Sequence, residues 1–281
     1  MGQLPTLDEI FRVKNILLHA LKPTGNVVSW TLKQIRAHVE KPEIEHPDIL
    51  TRLVAARQKD PEVVTEDRMV DYANTIVSAG SDTTAIALRE IVYQILIHPT
   101  AYERLMQEIG TVLHARTAVD DKPITWAEGS NMKYLQACIQ ESLRHHPAIA
   151  QILPRVVPEG GLELYGHYLP TGTITGCNAY TVHKDQSVFG PDADIWRPER
   201  WLDSDIEYVK RMQSLLFTFG AGPRVCIGKN IALLEVTKFI PEFFRRFQVK
   251  LVDKERYKSR PGWLSPQRGL DVFLAWREAE A

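Results

Sequence analysis

Apolar residues recur at helical intervals through most of this chain, which predicts a mainly α protein with one small β portion. The longest element follows Thr65, a candidate N-cap with Glu66 and Asp67 placed to suit the helix dipole. From there Met69, Val70, Ala73, Ile76, Val77, Ala85, Leu88, Ile91, Val92 and Ile95 keep an apolar face until His98-Pro99 ends it. At about 1.5 Å per residue this is a rod of about 50 Å, enough to cross a whole domain. Its middle, Ala79-Gly80-Ser81-Asp82-Thr83-Thr84, is polar and poor in helix propensity where burial should be deepest. A local breach of the folding rules is what a functional position looks like.

Residues 4–40 read as two helical pieces broken around Lys22-Pro23-Thr24-Gly25, and a proline-rich turn runs from Lys41 to Asp48. A short helix from Asp48 to Gln58 puts Ile49, Leu50, Leu53 and Val54 on its apolar side. Thr100–His114 predicts an amphipathic helix and Asp120 to Trp126 a loop. Met132–His145 predicts a helix that buries Leu135, Ala137, Cys138, Ile139 and Leu143. Residues 152–182 alternate short apolar runs with Pro158, Gly160, Gly161, Gly166, Pro170 and Gly172, the pattern of a small β-meander. An irregular stretch from Phe189 to Trp201 precedes a glycine-rich loop, a helix over 231–240, and closing strands at 247–251 and 272–276. With no internal repeat or low-complexity segment, 1–281 reads as a single domain.

Composition narrows the class. The apolar content of 44% and charged content of 25% suit a folded globular protein, and a net charge of −1 gives no reason to expect a nucleic-acid partner. No run approaches the roughly 18 apolar residues of a membrane span, and the N-terminus carries no secretory signal. Cys138, Cys177 and Cys226 are widely spaced, without a C-x-x-C pair, so neither a disulfide framework nor a zinc site is expected, and a reducing compartment fits them.

The chemistry concentrates in Phe217-Thr218-Phe219-Gly220-Ala221-Gly222-Pro223-Arg224-Val225-Cys226-Ile227-Gly228. Gly220 and Gly222 permit positive φ or close backbone approach, and Pro223 fixes its own φ and restricts Gly222 before it. The apolar run Ile231–Ile240 reads as helix, so Cys226 sits near a helix N-terminus, where N–H groups and the dipole stabilise a thiolate, and Arg224 adds positive charge. A lone cysteine is more often a small buried hydrophobe, but this setting points to a metal-ligating thiolate. Glu141 and Arg144 place opposite charges at i and i+3 on a helix with apolar neighbours. Buried, such a pair needs further partners, and Arg200 in Pro198-Glu199-Arg200-Trp201 could supply a third charge.

The pattern Phe219-x-x-Gly222-x-Arg224-x-Cys226-x-Gly228 resembles the haem-binding loop of cytochromes P450. Gly80-x-Asp82-Thr83-Thr84 resembles the family's oxygen-activation segment in its long I helix. Glu141-x-x-Arg144 and Pro198-Glu199-Arg200-Trp201 resemble its E-x-x-R helix and meander, and the four motifs stand in family order. His183-Lys184-Asp185 and Phe189-Gly190-Pro191-Asp192-Ala193 are similar to fungal, pisatin-demethylase-like members. The resemblance implies a P450-like fold and haem b with Cys226 as axial ligand. It places Phe219 and Gly228 in the cofactor loop, with Arg155 and Arg224 on the propionates, since guanidinium matches carboxylate bidentately. It implies a proton relay through Asp82, a hydrogen bond from Thr83 to a water or the reacting oxygen, and a structural lock of Glu141, Arg144 and Arg200. Ala148, Ile149, Ile152 and Leu153 resemble a substrate-contacting segment, and His145-His146 read as surface or haem-edge residues rather than a chelating pair.

The activity implied is that of a haem-thiolate monooxygenase oxidising a small organic substrate in fungal secondary metabolism. NADPH would supply electrons through cytochrome P450 reductase, with Lys210, Arg211, Lys229 and Lys238 as a basic patch for the acidic donor. The location implied is the cytoplasm or the cytosolic face of the endoplasmic reticulum. A family member carries a long segment ahead of these helices, so the expectation is a fold truncated at its N-terminus. That leaves a second reading, a non-catalytic remnant without stable haem.

Overall fold

The computed structural model describes residues 24–40, 48–116, 121–203, 205–260 and 262–277, and the chain divides into two units, Met1–Ser81 and Asp82–Ala281. The first predicted helical piece and the turn over 41–47 lie outside the described residues.

In the first unit, α1 (Thr24–Val39), α2 (Ile49–Lys59) and the opening turns of α3 (Glu66–Ile97) bury Ile35, Met69, Val70 and Ala73. Leu50, Leu53 and Val54 pack against this cluster, whereas Ile49, expected beside them, is exposed at the first position of its helix. Asp48 caps α2 in a reciprocal box: its carboxylate accepts from Thr51 N at 2.8 Å, and its own N–H donates to Thr51 Oγ1 at 3.2 Å. Thr65 Oγ1 accepts from Arg68 N at 3.3 Å at the start of α3.

The second unit is built on the rest of α3 with α4 (Pro99–His114), α5 (Trp126–Asn131), α6 (Lys133–His145) and α10 (Lys229–Arg246). Their core includes Ile91, Ile95, Leu105, Ile109, Leu135, Ile139, Val236, Ile240 and Phe244. A short helix α7 (Ala179–Val182) follows the β portion, and α8 (Gln186–Phe189) and α9 (Ile206–Ser214) contribute to a second cluster around Phe189, Ala193, Trp201 and Met212. Helix α5 fills the stretch between the expected loop, Asp120 to Trp126, and the expected helix at Met132, to which the apolar periodicity gave no element. Thr125 and Glu128 cap it reciprocally, Glu128 N donating to Thr125 Oγ1 at 3.2 Å and Thr125 N to Glu128 Oε2 at 2.7 Å. Helix α10 runs past Ile240 and through Pro241 to Arg246. Pro241 offers no N–H to the carbonyl four residues back, that of Thr237. Gly129 packs against that same carbonyl: a Cβ there would lie 3.0 Å from Thr237 O and 2.8 Å from its Cγ2.

The β portion is not a meander. Strand β1 (Ile152–Val156) pairs antiparallel with β4 (Ile174–Asn178), and between them β2 (Leu162–Leu164) pairs with β3 (His167–Leu169), so one hairpin is nested inside another. The outer ladder continues through Val157 N to Thr173 O at 2.8 Å and Gly172 N to Val157 O at 3.0 Å, then meets Pro158 and Pro170, which cannot donate. The closing strands β5 (Phe247–Leu251) and β8 (Val272–Trp276) pair with each other, as do β6 (Lys258–Ser259) and β7 (Gln267–Arg268).

Candidate functional site

The site rests on a buried charge cluster. Glu141 on α6 is fully buried and its carboxylate accepts five hydrogen bonds. Arg144 Nε and Nη2 each donate at 2.8 Å, Arg200 Nε at 3.0 Å, Arg197 N at 2.8 Å and Trp201 Nε1 at 2.9 Å. Burial by itself would push the Glu141 carboxyl up, but these donors and the two guanidinium charges hold it below the usual carboxylate range. Arg144 spends its remaining donors on the carbonyls of His183 at 2.7 Å, Ala193 at 2.6 Å and Ile195 at 3.1 Å. Arg200 donates to Phe189 O, to Asp192 Oδ1 and O at 3.1 Å each, and to Ile195 O at 3.2 Å. Every donor is satisfied, which is the condition for burying two cations and one anion.

The cysteine loop leaves this cluster as two 3₁₀ turns, Phe217–Phe219 and Gly222–Arg224, before Gly228 begins α10. Gly220 has φ 71° with ψ −167°, and Gly222 has φ 67°. The first of these lies in a region open essentially to glycine alone. Thr218 Oγ1 donates to Leu143 O at 2.8 Å, fastening the loop to α6. Cys226 is held through its backbone at both sides: its N–H donates to Phe219 O at 2.9 Å, and its carbonyl accepts from Lys229 N at 3.3 Å. The thiol faces solvent between Val225 and the fully exposed Ile227. The amides of Ile227 and Gly228 have no acceptor among the described residues.

The remaining predicted residues stand apart from the buried cluster. Arg224 is exposed, and among the described residues it has no carboxylate partner. Arg155, on β1, is exposed with Nη1 donating to Pro154 O at 2.9 Å. Phe219 is half-buried, and Gly228 lies close enough that a Cβ would sit 3.8 Å from Cys226 Sγ. The loop reaches the β1 strand, since a Cβ at Gly220 would sit 3.6 Å from Leu153 Cδ1. Asp82 is exposed and Thr83 half-buried on α3, which stays helical without a break from Gly80 to Thr84. Lys210, Arg211, Lys229 and Lys238 are all exposed, Lys210 engaging Glu207 at 2.8 Å.

His145 and His146 are half-buried and each has a partner: His145 Nδ1 lies 3.2 Å from buried Glu90 Oε1, and His146 Nε2 bonds Ser265 O at 2.8 Å. His183, which the sequence marked only as fungal texture, is fully buried between α6 and the loop. Its Nδ1 meets Arg144 O at 2.9 Å, and its Nε2 accepts from Phe217 N at 2.8 Å. Burial pushes its pKa down to about 4. Of the other cysteines, Cys138 is buried with its thiol pushed up by desolvation, and Cys177 is exposed on β4.

Known proteins agree on the kind of chain this is. A cytochrome P450 monooxygenase, mpaDE, of Penicillium roqueforti is 37% identical over 99% of this chain and 33% of its own length. Another, cicH of Emericella nidulans, is 38% identical over 90% of this chain and 51% of its own length. A third, esdpH of Penicillium shearii, is 34% identical over 100% of this chain and 58% of its own length. The chain thus spans between a third and three-fifths of the length of these relatives. The family model for cytochrome P450 matches residues 13–272, and with most of its length so matched, the chain belongs to the cytochrome P450 family.

Proposed function

We propose that Cys226 is the thiolate that would hold haem b, and that the chain serves a monooxygenase oxidising a small organic substrate in fungal secondary metabolism. The observation that carries this is a solvent-facing thiol on a loop whose backbone is fixed on both sides of it. The local chemistry fits haem. Phe219, Val225 and Ile227 offer apolar contact to a macrocycle, and the amides of Ile227 and Gly228, without an acceptor among the described residues, suit a thiolate. Arg155 and Arg224, both exposed and without ion-pair partners among the described residues, suit the propionates.

Bound at Cys226, haem would supply dioxygen activation, with electrons from NADPH through cytochrome P450 reductase. The chain's own residues would do the rest. Asp82, exposed on α3, takes protons from solvent, and the hydroxyl of the adjacent Thr83 passes them inward. Glu141, Arg144 and Arg200 hold the floor under the loop. Lys210, Arg211, Lys229 and Lys238 present positive charge to an acidic electron donor. The relatives' names as cytochrome P450 monooxygenases of fungi support the monooxygenase part of this reading. Among the described residues no helix is long and apolar enough to cross a membrane, and the proposed location is the cytoplasm or the cytosolic face of the endoplasmic reticulum. Because the family match crosses the division at Ser81, both units are read as parts of one P450 domain.

The test is spectroscopic. The chain is expressed with haem available, reduced and exposed to carbon monoxide; a red-shifted Soret band of the thiolate type is expected. Cys226→Ser should abolish that band, while Cys138→Ser and Cys177→Ser should leave it. A folded circular-dichroism spectrum with no haem uptake would instead establish the non-catalytic remnant.

A further inference from the structure

We infer that His183 is a positioning residue, a neutral imidazole that ties the entry of the cysteine loop to the end of α6 and so sets where Cys226 stands. The tautomer follows from its partners. The Phe217 N–H can only donate, so Nε2 must present its lone pair; the Arg144 carbonyl can only accept, so Nδ1 must carry the hydrogen. Few side chains can do both at this span. The ring accepts at one end and donates at the other, bridging two backbone groups that belong to different elements.

The bridge is continuous with the charge cluster on one side and the thiol on the other. Arg144 binds Glu141 and also donates to the carbonyl of His183 at 2.7 Å, so backbone and ring of His183 are both held by the same residue. Phe217 then receives the loop's first turn through Gly220 N at 2.9 Å, and two residues after Phe217 the carbonyl of Phe219 accepts from Cys226 N at 2.9 Å. Phe189 closes the side of the ring, edge to face at 6.0 Å between centroids, leaving the imidazole fully buried. Water therefore cannot replace either hydrogen bond.

Two substitutions separate the two ends of the ring. His183→Gln reaches the Nε2 position and can still accept from Phe217 N–H. His183→Asn is shorter, reaches only the Nδ1 position, and can keep Arg144 O but not Phe217. Hydrogen exchange on the ligand-free chain reads the anchor directly, comparing a fragment over 215–226 with one over 133–145. The bearing on haem rests on the reading of Cys226 as iron ligand, but this measurement does not, so either can fail alone. His183→Asn should exchange about tenfold faster in 215–226, with 133–145 unchanged, and His183→Gln should stay within about twofold of the native chain. Equal acceleration in both variants, or equal acceleration in both fragments, would overturn the anchor role. If His183→Asn does not fold, the native chain decides: the Phe217 amide should be protected as well as the α6 amides, and exchange at the rate of an open loop amide refutes the inference.

Discussion

Arg144 and His183 hold each other at two points: Arg144 Nη1 donates to the His183 carbonyl at 2.7 Å, and His183 Nδ1 meets the Arg144 carbonyl at 2.9 Å. Arg144 thereby belongs to two networks, the ion cluster of Glu141 and Arg200 and the bridge to the cysteine loop. Loss of either network should be felt in both.

The cluster is best probed at its anion. Glu141→Gln leaves two buried guanidinium groups around a neutral amide, and unfolding free energy should fall by about 3–5 kcal/mol. Glu207→Gln, which breaks the exposed pair with Lys210, should cost less than about 1 kcal/mol. Urea unfolding of the two variants checks this; similar losses would mean that the buried cluster contributes no more than a surface pair.

Acid should weaken the fold through His183. Its ring ionises near 4 when folded, against an ordinary value near 6.5. Between those values the unfolded chain binds more protons, so stability is full above about 6.5 and is lost as pH falls toward about 4. The slope contributed approaches about 1.4 kcal/mol per pH unit. Unfolding measured across that window should show this slope in the native chain and lack it in His183→Gln, because carboxylates common to both cancel in the difference.

Backbone conformation makes two glycines respond with opposite sign. Gly220→Ala must adopt φ 71° with ψ −167°, at a cost of about 1–3 kcal/mol, although a Cβ there would meet nothing closer than 3.6 Å. Gly110 lies inside α4, and beyond its own helix's backbone an added Cβ would meet nothing within 4 Å, so Gly110→Ala should stabilise by about 0.5–1 kcal/mol. Thermal unfolding of both distinguishes strain from simple packing, since packing alone predicts little change in either.

Gly129→Ala should destabilise by about 1–3 kcal/mol, because its Cβ would fall 2.8 Å from Thr237 Cγ2. Thr237→Ser removes that methyl and should restore part of the loss in the double variant. Full additivity of the two substitutions in denaturant unfolding would show that they do not touch.

What the sequence made legible follows from local spacing. Glu141 and Arg144 are one helical turn apart, so their meeting is dictated by i, i+3 geometry. The cap at Thr65 is equally local, and so is the one at Asp48, which the apolar pattern placed inside its helix. Thr125-x-x-Glu128 carried the same kind of signal for α5, and it could have been read ahead of the missing apolar run. Partners set by tertiary packing were harder to read. Nothing in His183-Lys184-Asp185 distinguishes a buried imidazole from a solvated one, because burial there is conferred by Phe189 and by α6. His145 and His146 likewise look polar and adjacent, yet Glu90 and Ser265, both distant in sequence, claim them. In the β portion, strand existence was readable from alternation, but the nested pairing depended on where Pro158 and Pro170 interrupt the ladder.

The abutment of Gly129 on Thr237 has a mechanical meaning for the thiol. Thr237 lies eight residues beyond Lys229, about 12 Å along the axis of α10. Gly129 meets the carbonyl and the short, β-branched side chain of Thr237, which leave little compliance to absorb a slide or a roll. Helix α10 is therefore seated against a hard stop at its middle, while the cysteine loop hangs from its front end. Any register slip would displace that end by about 1.5 Å per residue, so the seat works as a datum from which the position of Cys226 is measured.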